Sequence, residues 1–313
     1  MTSKLREFEV PIDDSIDTSP SLIQDTSRHE TFTTEDGYCH TYRRFFDPDK
    51  MKNRKPQAKI ITIHGIQSHG GWYLRSSQYL AKKEFEIIFL DRRGSGLNSK
   101  QRGDTPSFRR LLDDLAFLVR MEAQDGVPIF LQTISWGGKL GTGFCYRHPN
   151  LLQGLIMLCP GIFAKVSPPF RQRLRIALSR LLKPSRLFPV PLSQASLFTG
   201  NRAAQQWISE DQLSIREATA RFLSNSVLLD IYLKRAQKKV NIPVLLLLAG
   251  KDQIVDNKEV RTYCQEFPNN ATEVIEYPES EHTLEFEPTN HPYLNDIQNW
   301  IERQLVHRAA ARS

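Results

Sequence analysis

The chain has 313 residues, 40% hydrophobic and 25% charged, with a formal net charge of +7; that length suits one domain with a sizeable insertion, and that balance excludes a disordered or fibrous chain. The basic surplus is not gathered into Lys/Arg runs interleaved with aromatics, which argues against a nucleic-acid partner. The four cysteines, Cys39, Cys145, Cys159 and Cys264, are scattered without metal-ligand spacing, so neither a disulfide framework nor a metal or other cofactor is expected.

Residues 1–28 are polar and rich in Asp, Ser and Thr, and read as a loosely held extension. The opening stretch has no apolar core of a secretory signal, and the most apolar stretch, Val244 to Ala249, is too short to span a bilayer. The expected location is cytoplasmic. From His29 the pattern becomes regular. Thr31–Thr34 and Tyr38–Phe46 form two strands across the turn Glu35-Asp36-Gly37. Strands then alternate with helices: strand Lys59–Ile63, helix Tyr73–Lys83, strand Phe85–Leu90, helix Ser107–Asp125, strand Val127–Ile134, helix Gly137–Arg147, strand Leu152–Leu158. The helix over 107–125 carries Leu111, Leu112, Leu115, Leu118 and Val119 at helical spacing.

The rhythm breaks from Ala164 to Lys239, where Pro168, Pro169, Pro184, Pro189 and Pro191 precede a mostly helical pattern. This segment holds 14 Lys and Arg against 4 Asp and Glu, a net of +10, leaving −3 for the remainder. The alternation resumes with strand Ile242–Ala249, helix Lys258–Glu266, strand Thr272–Tyr277 and helix Pro292–Leu305. The expected fold is therefore α/β: a mostly parallel eight-stranded sheet flanked by helices. Residues 29–163 and 240–313 form the core, and a helical cap, residues 164–239, is inserted after the sixth strand. The cap's charge suits peripheral contact with an anionic membrane, although a solvated charged face would read the same way.

Phe130 to Gly138 (FLQTISWGG) joins an apolar strand to a helix. A serine on such a turn is held in a strained conformation with its hydroxyl above the sheet edge. Small residues are wanted two positions before and two after; Gly137 meets the second need, whereas Thr133 adds bulk at the first. A capping Ser in an ordinary loop would look similar. The loop His64-Gly65-Ile66-Gln67-Ser68-His69-Gly70-Gly71 follows the first parallel strand. It is placed to offer the Ile66 backbone N–H, beside that of Trp136, to a developing oxyanion. His64 and His69 read as structural. Asp91-Arg92-Arg93-Gly94-Ser95-Gly96 lacks the spacing of a phosphate loop and reads as a tight turn beside the pocket.

Asp252, just past the strand ending at Ala249, is the expected acid, with Asp256 as the alternative. His282, after the last strand, is the expected base. The order Ser135, Asp252, His282 is that of a nucleophile–acid–base triad on this kind of fold.

Together these segments resemble the monoacylglycerol lipase and lysophospholipase group of α/β hydrolases, the serine aminopeptidase S33-like set, over roughly residues 30–305. The motifs are His64-Gly65…His69…Tyr73, Asp91 to Gly96, Ser135-Trp136-Gly137-Gly138, Ala249-Gly250-Lys251-Asp252…Val255-Asp256 and Glu281-His282. In the cap, Leu187-Phe188-Pro189, Phe198-Thr199, Asp211 and Arg216 to Thr219 also look like that group. The resemblance implies Ser135, Asp252 and His282 as catalytic residues, Ile66 and Trp136 as oxyanion donors, and an acyl ester or lipid substrate. Two positions depart from the group: Thr133 in the elbow, and Asn98 where a Ser often stands. Phe163, Phe170, Leu197, Phe198, Trp207, Phe222, Leu228 and Leu229 are available as cap core or acyl-pocket lining. Two other readings use the same residues. One is a peptidase, thioesterase or acyltransferase with this triad; the other is a non-catalytic member that binds an acyl ligand.

Overall fold

A computed structural model describes residues 3–5, 23–50, 52, 54–268 and 272–310. The strands are β1 (Ser3–Leu5), β2 (Arg28–Thr33), β3 (Cys39–Phe45), β4 (Ala58–Ile63), β5 (Phe85–Leu90), β6 (Ile129–Ile134), β7 (Gly154–Leu158), β8 (Leu187–Pro189), β9 (Glu217–Thr219), β10 (Val244–Ala249) and β11 (Thr272–Tyr277). The helices are α1 (Leu74–Ala81), α2 (Phe108–Glu122), α3 (Gly137–Arg147), α4 (Phe170–Leu182), α5 (Arg202–Glu210), α6 (Ala220–Ala236), α7 (Asn257–Gln265) and α8 (Tyr293–Ala310).

The main sheet runs β1-β11-β10-β7-β6-β4-β5-β3-β2. Pairing is parallel throughout except where β3 meets β2 and β5. Every residue of β4, β6, β7 and β10 is buried. Short continuous apolar runs such as Val-Leu-Leu-Leu-Leu-Ala in β10 belong in strands covered on both faces. The eight expected strands are present. The sheet has nine rather than eight, because β1 pairs in parallel with β11 through Ser3 to Leu5. Three residues of backbone pairing leave no periodicity to read within a polar segment.

Local chemistry sets the helix ends. Ser107 caps α2 by accepting from the Arg110 N–H at 3.1 Å, and Asp256 caps α7 by accepting from Glu259 N–H at 3.1 Å. Between β7 and β10 lie α4, α5 and α6 with a two-stranded antiparallel ribbon, β8 against β9. The sequence pattern did not show that ribbon: three residues a side, one of them Pro189, carry no strand signature.

The parallel register brings strand ends together. Ile63 of β4 stands beside Thr133 of β6, which stands beside Met157 of β7. The loops leaving β4, β6 and β10 therefore converge on one edge of the sheet, where ligands bind in open α/β folds.

Candidate active site

Ser135 follows β6 directly and has φ +53°, a left-handed conformation that is costly for a residue with a side chain. Backbone bonds hold it there. Its N–H donates to Leu158 O at 2.9 Å, and its carbonyl accepts from Gly138 and Gly161 N–H at 2.8 and 2.7 Å. Close approach fixes the residue two positions on: a Cβ at Gly137 would stand 2.8 Å from the carbonyl oxygens of both Ile63 and His64. Two residues before the serine, the Thr133 hydroxyl donates to Ile156 O at 3.2 Å.

His282 Nε2 lies 2.9 Å from Ser135 Oγ, and His282 Nδ1 lies 2.7 Å from Asp252 Oδ2. A carboxylate only accepts, so Nδ1 carries the proton and Nε2 is left to accept from the serine hydroxyl. Asp252 Oδ1 accepts from the N–H groups of Ile254 and Val255 at 2.8 and 2.9 Å. Burial would raise the Asp252 pKa, but His282 and these two amides outweigh it and hold the carboxyl below its usual value. All three side chains are buried. Asp256 is occupied as the cap of α7, so Asp252 meets His282 and the alternative acid does not.

The loop after β4 is braced from behind. His64 Nε2 accepts from Arg92 N–H at 3.0 Å, so Nδ1 carries the proton and donates to Gly65 O at 2.9 Å. Burial, followed by the nearby Arg92 charge, pushes the His64 pKa well down and keeps the ring neutral. His69 accepts from Gly71 N–H at 3.0 Å through Nδ1 and meets Asp211 Oδ2 at 3.0 Å through Nε2. The Trp72 indole and the Ser214 hydroxyl donate to the same Asp211 oxygen, each at 2.7 Å. Both histidines hold loops. Asn98 is structural too: it donates to Asp91 O at 2.7 Å and accepts from Thr41 N–H at 2.8 Å.

Ile66 and Ser135 line one small cavity of about 10 Å³ with Ser68, Leu192, Phe198 and His282 among its walls. Phe198 is the one cap aromatic from the expected set that reaches it. Phe222 packs on Trp136 instead, with ring centroids 5.2 Å apart; Trp207 packs on Trp72; Phe170 and Leu228 face outward. Leu192 was not anticipated, because nothing in the sequence separates it from other apolar residues of the insertion. The segment between β7 and β10 is tied to the site by the Ile215 N–H, which donates to Gln67 O at 2.9 Å, and by Trp136 Nε1, which donates to Ser226 Oγ at 2.9 Å. Among the described residues no cluster of three His, Cys, Asp or Glu side chains is placed to hold a metal ion.

A mostly parallel sheet with this strand order, and a serine on a strained turn facing a histidine and a buried aspartate, define an α/β hydrolase. The chain belongs to the serine aminopeptidase S33 family (Hydrolase_4), whose model matches residues 54–289. It is 24% identical to a monoglyceride lipase of Rattus norvegicus over 80% of this chain and 84% of that one. It is 22% identical to a monoglyceride lipase of Saccharomyces cerevisiae over 93% of this chain and 98% of that one. In fold it matches a soluble variant of the Saccharomyces cerevisiae monoglyceride lipase, solved in complex with a substrate analog. That match has a TM-score of 0.78 and 20% identity, and covers 91% of this chain and 98% of that one.

Proposed function

We propose that this protein is a carboxylic ester hydrolase that cleaves monoacylglycerol- or lysophospholipid-like acyl esters through Ser135, His282 and Asp252. The observation that carries the reading is the 2.9 Å contact from Ser135 Oγ to His282 Nε2, continued at 2.7 Å to Asp252. Ser135 attacks the ester carbonyl while His282 takes its proton, and Asp252 holds the imidazole tautomer and balances its charge. The tetrahedral oxyanion takes hydrogen bonds from the Ile66 and Trp136 N–H groups. His282 then protonates the departing alcohol, and water activated by the same histidine releases the acid.

Relatives named monoglyceride lipase over most of this chain support a lipid ester over a peptide. No Asp, Glu, Lys or Arg is among the described residues lining the cavity, which suits the neutral carbonyl of an ester. We assign residues 164–239 as the cap over this site; of the extension expected over residues 1–28, residues 1, 2 and 6–22 lie outside the described residues, and Ser3–Leu5 pair with the main sheet.

Among the described residues no helix is long and apolar enough to cross a membrane. We place the protein in the cytoplasm, where four free thiols are at home, and at the membrane surface through α4. That helix exposes Phe170, Leu174, Leu178, Leu181 and Leu182, one stripe at helical spacing, beside Arg171, Arg173, Arg175, Arg180 and Lys183. An exposed apolar stripe edged by cations is the pattern of a helix lying in an anionic interface.

The test is hydrolysis of p-nitrophenyl esters from acetate to palmitate and of monoacylglycerols, wild type beside Ser135→Ala. Activity confined to the wild type, with an optimum at medium or long acyl chains, is the expected result. Equal inertness of both folded proteins would defeat the proposal.

A further inference from the structure

We infer that Arg92 is a positioning residue for oxyanion stabilisation, a buried clamp that fixes the Ile66 loop and the Trp136 turn relative to each other and to the cap. The inference rests on the serine-hydrolase reading above.

Arg92 is 2% exposed. One guanidinium nitrogen, Nη2, donates to Gly65 O at 2.7 Å and to Ile66 O at 2.9 Å. His64, itself held by the Arg92 backbone N–H, donates to the same Gly65 oxygen. In a trans peptide the C=O and the following N–H point in opposite directions. Pinning the Gly65 carbonyl toward Arg92 and His64 therefore aims the Ile66 N–H away from them, and Ile66 shares its cavity with Ser135.

The same guanidinium lies over the Trp136 ring at 4.9 Å from its centroid and over the Phe222 ring at 5.7 Å. Trp136 is anchored to α6 a second time, through Ser226. One side chain thus touches the loop after β4, the residue after the nucleophile and the first turns of α6.

Stability alone does not account for this arrangement. Among the described residues the guanidinium hydrogen-bonds only to carbonyls, and its Nε has no partner. Asp91, the neighbouring carboxylate, is engaged by Arg43 and by the N–H groups of Gly70 and Leu97. Burial pushes the Arg92 guanidinium below its ordinary pKa, the mark of a charge taken out of water at a cost. An apolar side chain would fill the space without that cost, but it could hold neither carbonyl.

The experiment compares wild type, Arg92→Met, Arg92→Lys and Phe222→Leu. Each is measured for kcat and KM on p-nitrophenyl butyrate per titrated active site, for inhibition by an alkyl trifluoromethyl ketone, which forms a tetrahedral adduct, and for Tm. Removing one oxyanion-hole donor outright costs about 10²–10³-fold in kcat, and a donor that is kept but loosened should cost less, on the order of 10–100-fold. Arg92→Met is expected to fall in that range, with KM within about twofold and ketone affinity reduced in parallel. Arg92→Lys should lie between, because an ammonium lacks the planar fork. Phe222→Leu, which keeps the apolar bulk, should show a smaller loss of the same kind and serves if Arg92→Met does not fold. A folded variant set that loses Tm but keeps kcat per site and ketone affinity would overturn the inference and leave Arg92 a stability residue. An inert wild type would overturn the proposed function and this inference with it; an active wild type beside an equally active Arg92→Met overturns the inference alone.

Discussion

Thr133 on β6 faces Gly141 on α3: a Cβ at position 141 would stand 2.7 Å from the Thr133 Cγ2 methyl and 2.9 Å from Leu155 Cδ1. The bulk that Thr133 brings to the elbow is absorbed just over one turn into the helix, where no side chain competes for the space. Gly141→Ala should overpack this corner and cost about 1–3 kcal/mol, despite the better helix propensity of alanine. Thr133→Ala in the same chain should restore most of the loss, giving a coupling above about 1 kcal/mol in a double-mutant cycle. Urea denaturation of the four proteins checks it; additive effects would mean that the two positions do not share the space.

Asp252 and Asp256 are both carboxylates just past β10, and their environments separate them. Asp252→Asn leaves the geometry but disturbs the histidine tautomer, and should lower kcat about 10³–10⁴-fold. Asp256→Asn should keep kcat within about threefold and change stability by less than about 1 kcal/mol, since Asn also caps helices. Ser135→Ala should lose on the order of 10⁴-fold or more and all fluorophosphonate labelling. Steady-state kinetics with active-site titration decide the set, and a larger loss in Asp256→Asn than in Asp252→Asn would reverse the assignment.

How far the site could be read from sequence depended on how local its signals are. Ser135 announces itself by a strand, a turn and Gly137; Asp252 by its place after a buried strand and His282 by its place after the last strand, in the order this fold imposes. The strand cores follow from continuous apolar runs, and β10 could have been nothing else. Arg92 left no such trace. Its partners Gly65 and Ile66 lie 27 and 26 positions away, and an Arg in a turn carries no mark of where its guanidinium goes. The compensation of Thr133 by Gly141 was hidden for the same reason: eight residues apart in sequence, they meet only because a strand and a helix cross. The ribbon of β8 and β9 and the edge strand β1 are too short for period two to accumulate.

The His282 loop carries a buried carboxyl whose titration should make stability depend on pH. Glu287 accepts from Glu281 N–H at 2.8 Å, one residue before His282. Burial pushes its carboxyl up to about 7; the hydrogen bond from the Glu281 N–H opposes the rise, the Glu281 carboxylate adds to it, and Arg75 and Lys251 oppose it. A carboxyl whose folded pKa exceeds its unfolded one binds more protons when folded. Its favourable contribution is complete below about 4.5 and is lost as pH rises through about 7. Glu287→Gln keeps an acceptor for the Glu281 N–H and removes the ionisation. The variant should match wild type near pH 4 and exceed it above pH 7 by about 3 kcal/mol, with the difference opening between those values. Chemical denaturation across pH checks it; a difference that opens in the opposite direction would show that the carboxylate form is the stabilising one.

The membrane contact assigned to α4 separates into two forces with different signatures. Burying an exposed leucine in the interface contributes about 1.5–3 kcal/mol and does not respond to salt. Each arginine near an anionic surface contributes about 1 kcal/mol, and this fades with ionic strength because the field is screened within about 10 Å. Leu174 and Leu181 are 56% and 81% exposed, so replacing both with Gln should leave the fold and short-ester kcat unchanged. Binding to phosphatidylcholine vesicles containing phosphatidylglycerol should fall at least tenfold in the Leu174→Gln, Leu181→Gln double variant at any salt concentration. Arg171→Gln with Arg175→Gln should instead remove the preference for phosphatidylglycerol and flatten the salt dependence, leaving the residual affinity for neutral vesicles intact. Vesicle co-sedimentation with both lipid compositions at 0.05 and 0.5 M salt reads all of this at once. Unchanged binding in the leucine pair would place the contact on some other face of the molecule, and a wild type that ignores both vesicles would make the α4 stripe a surface for something other than lipid.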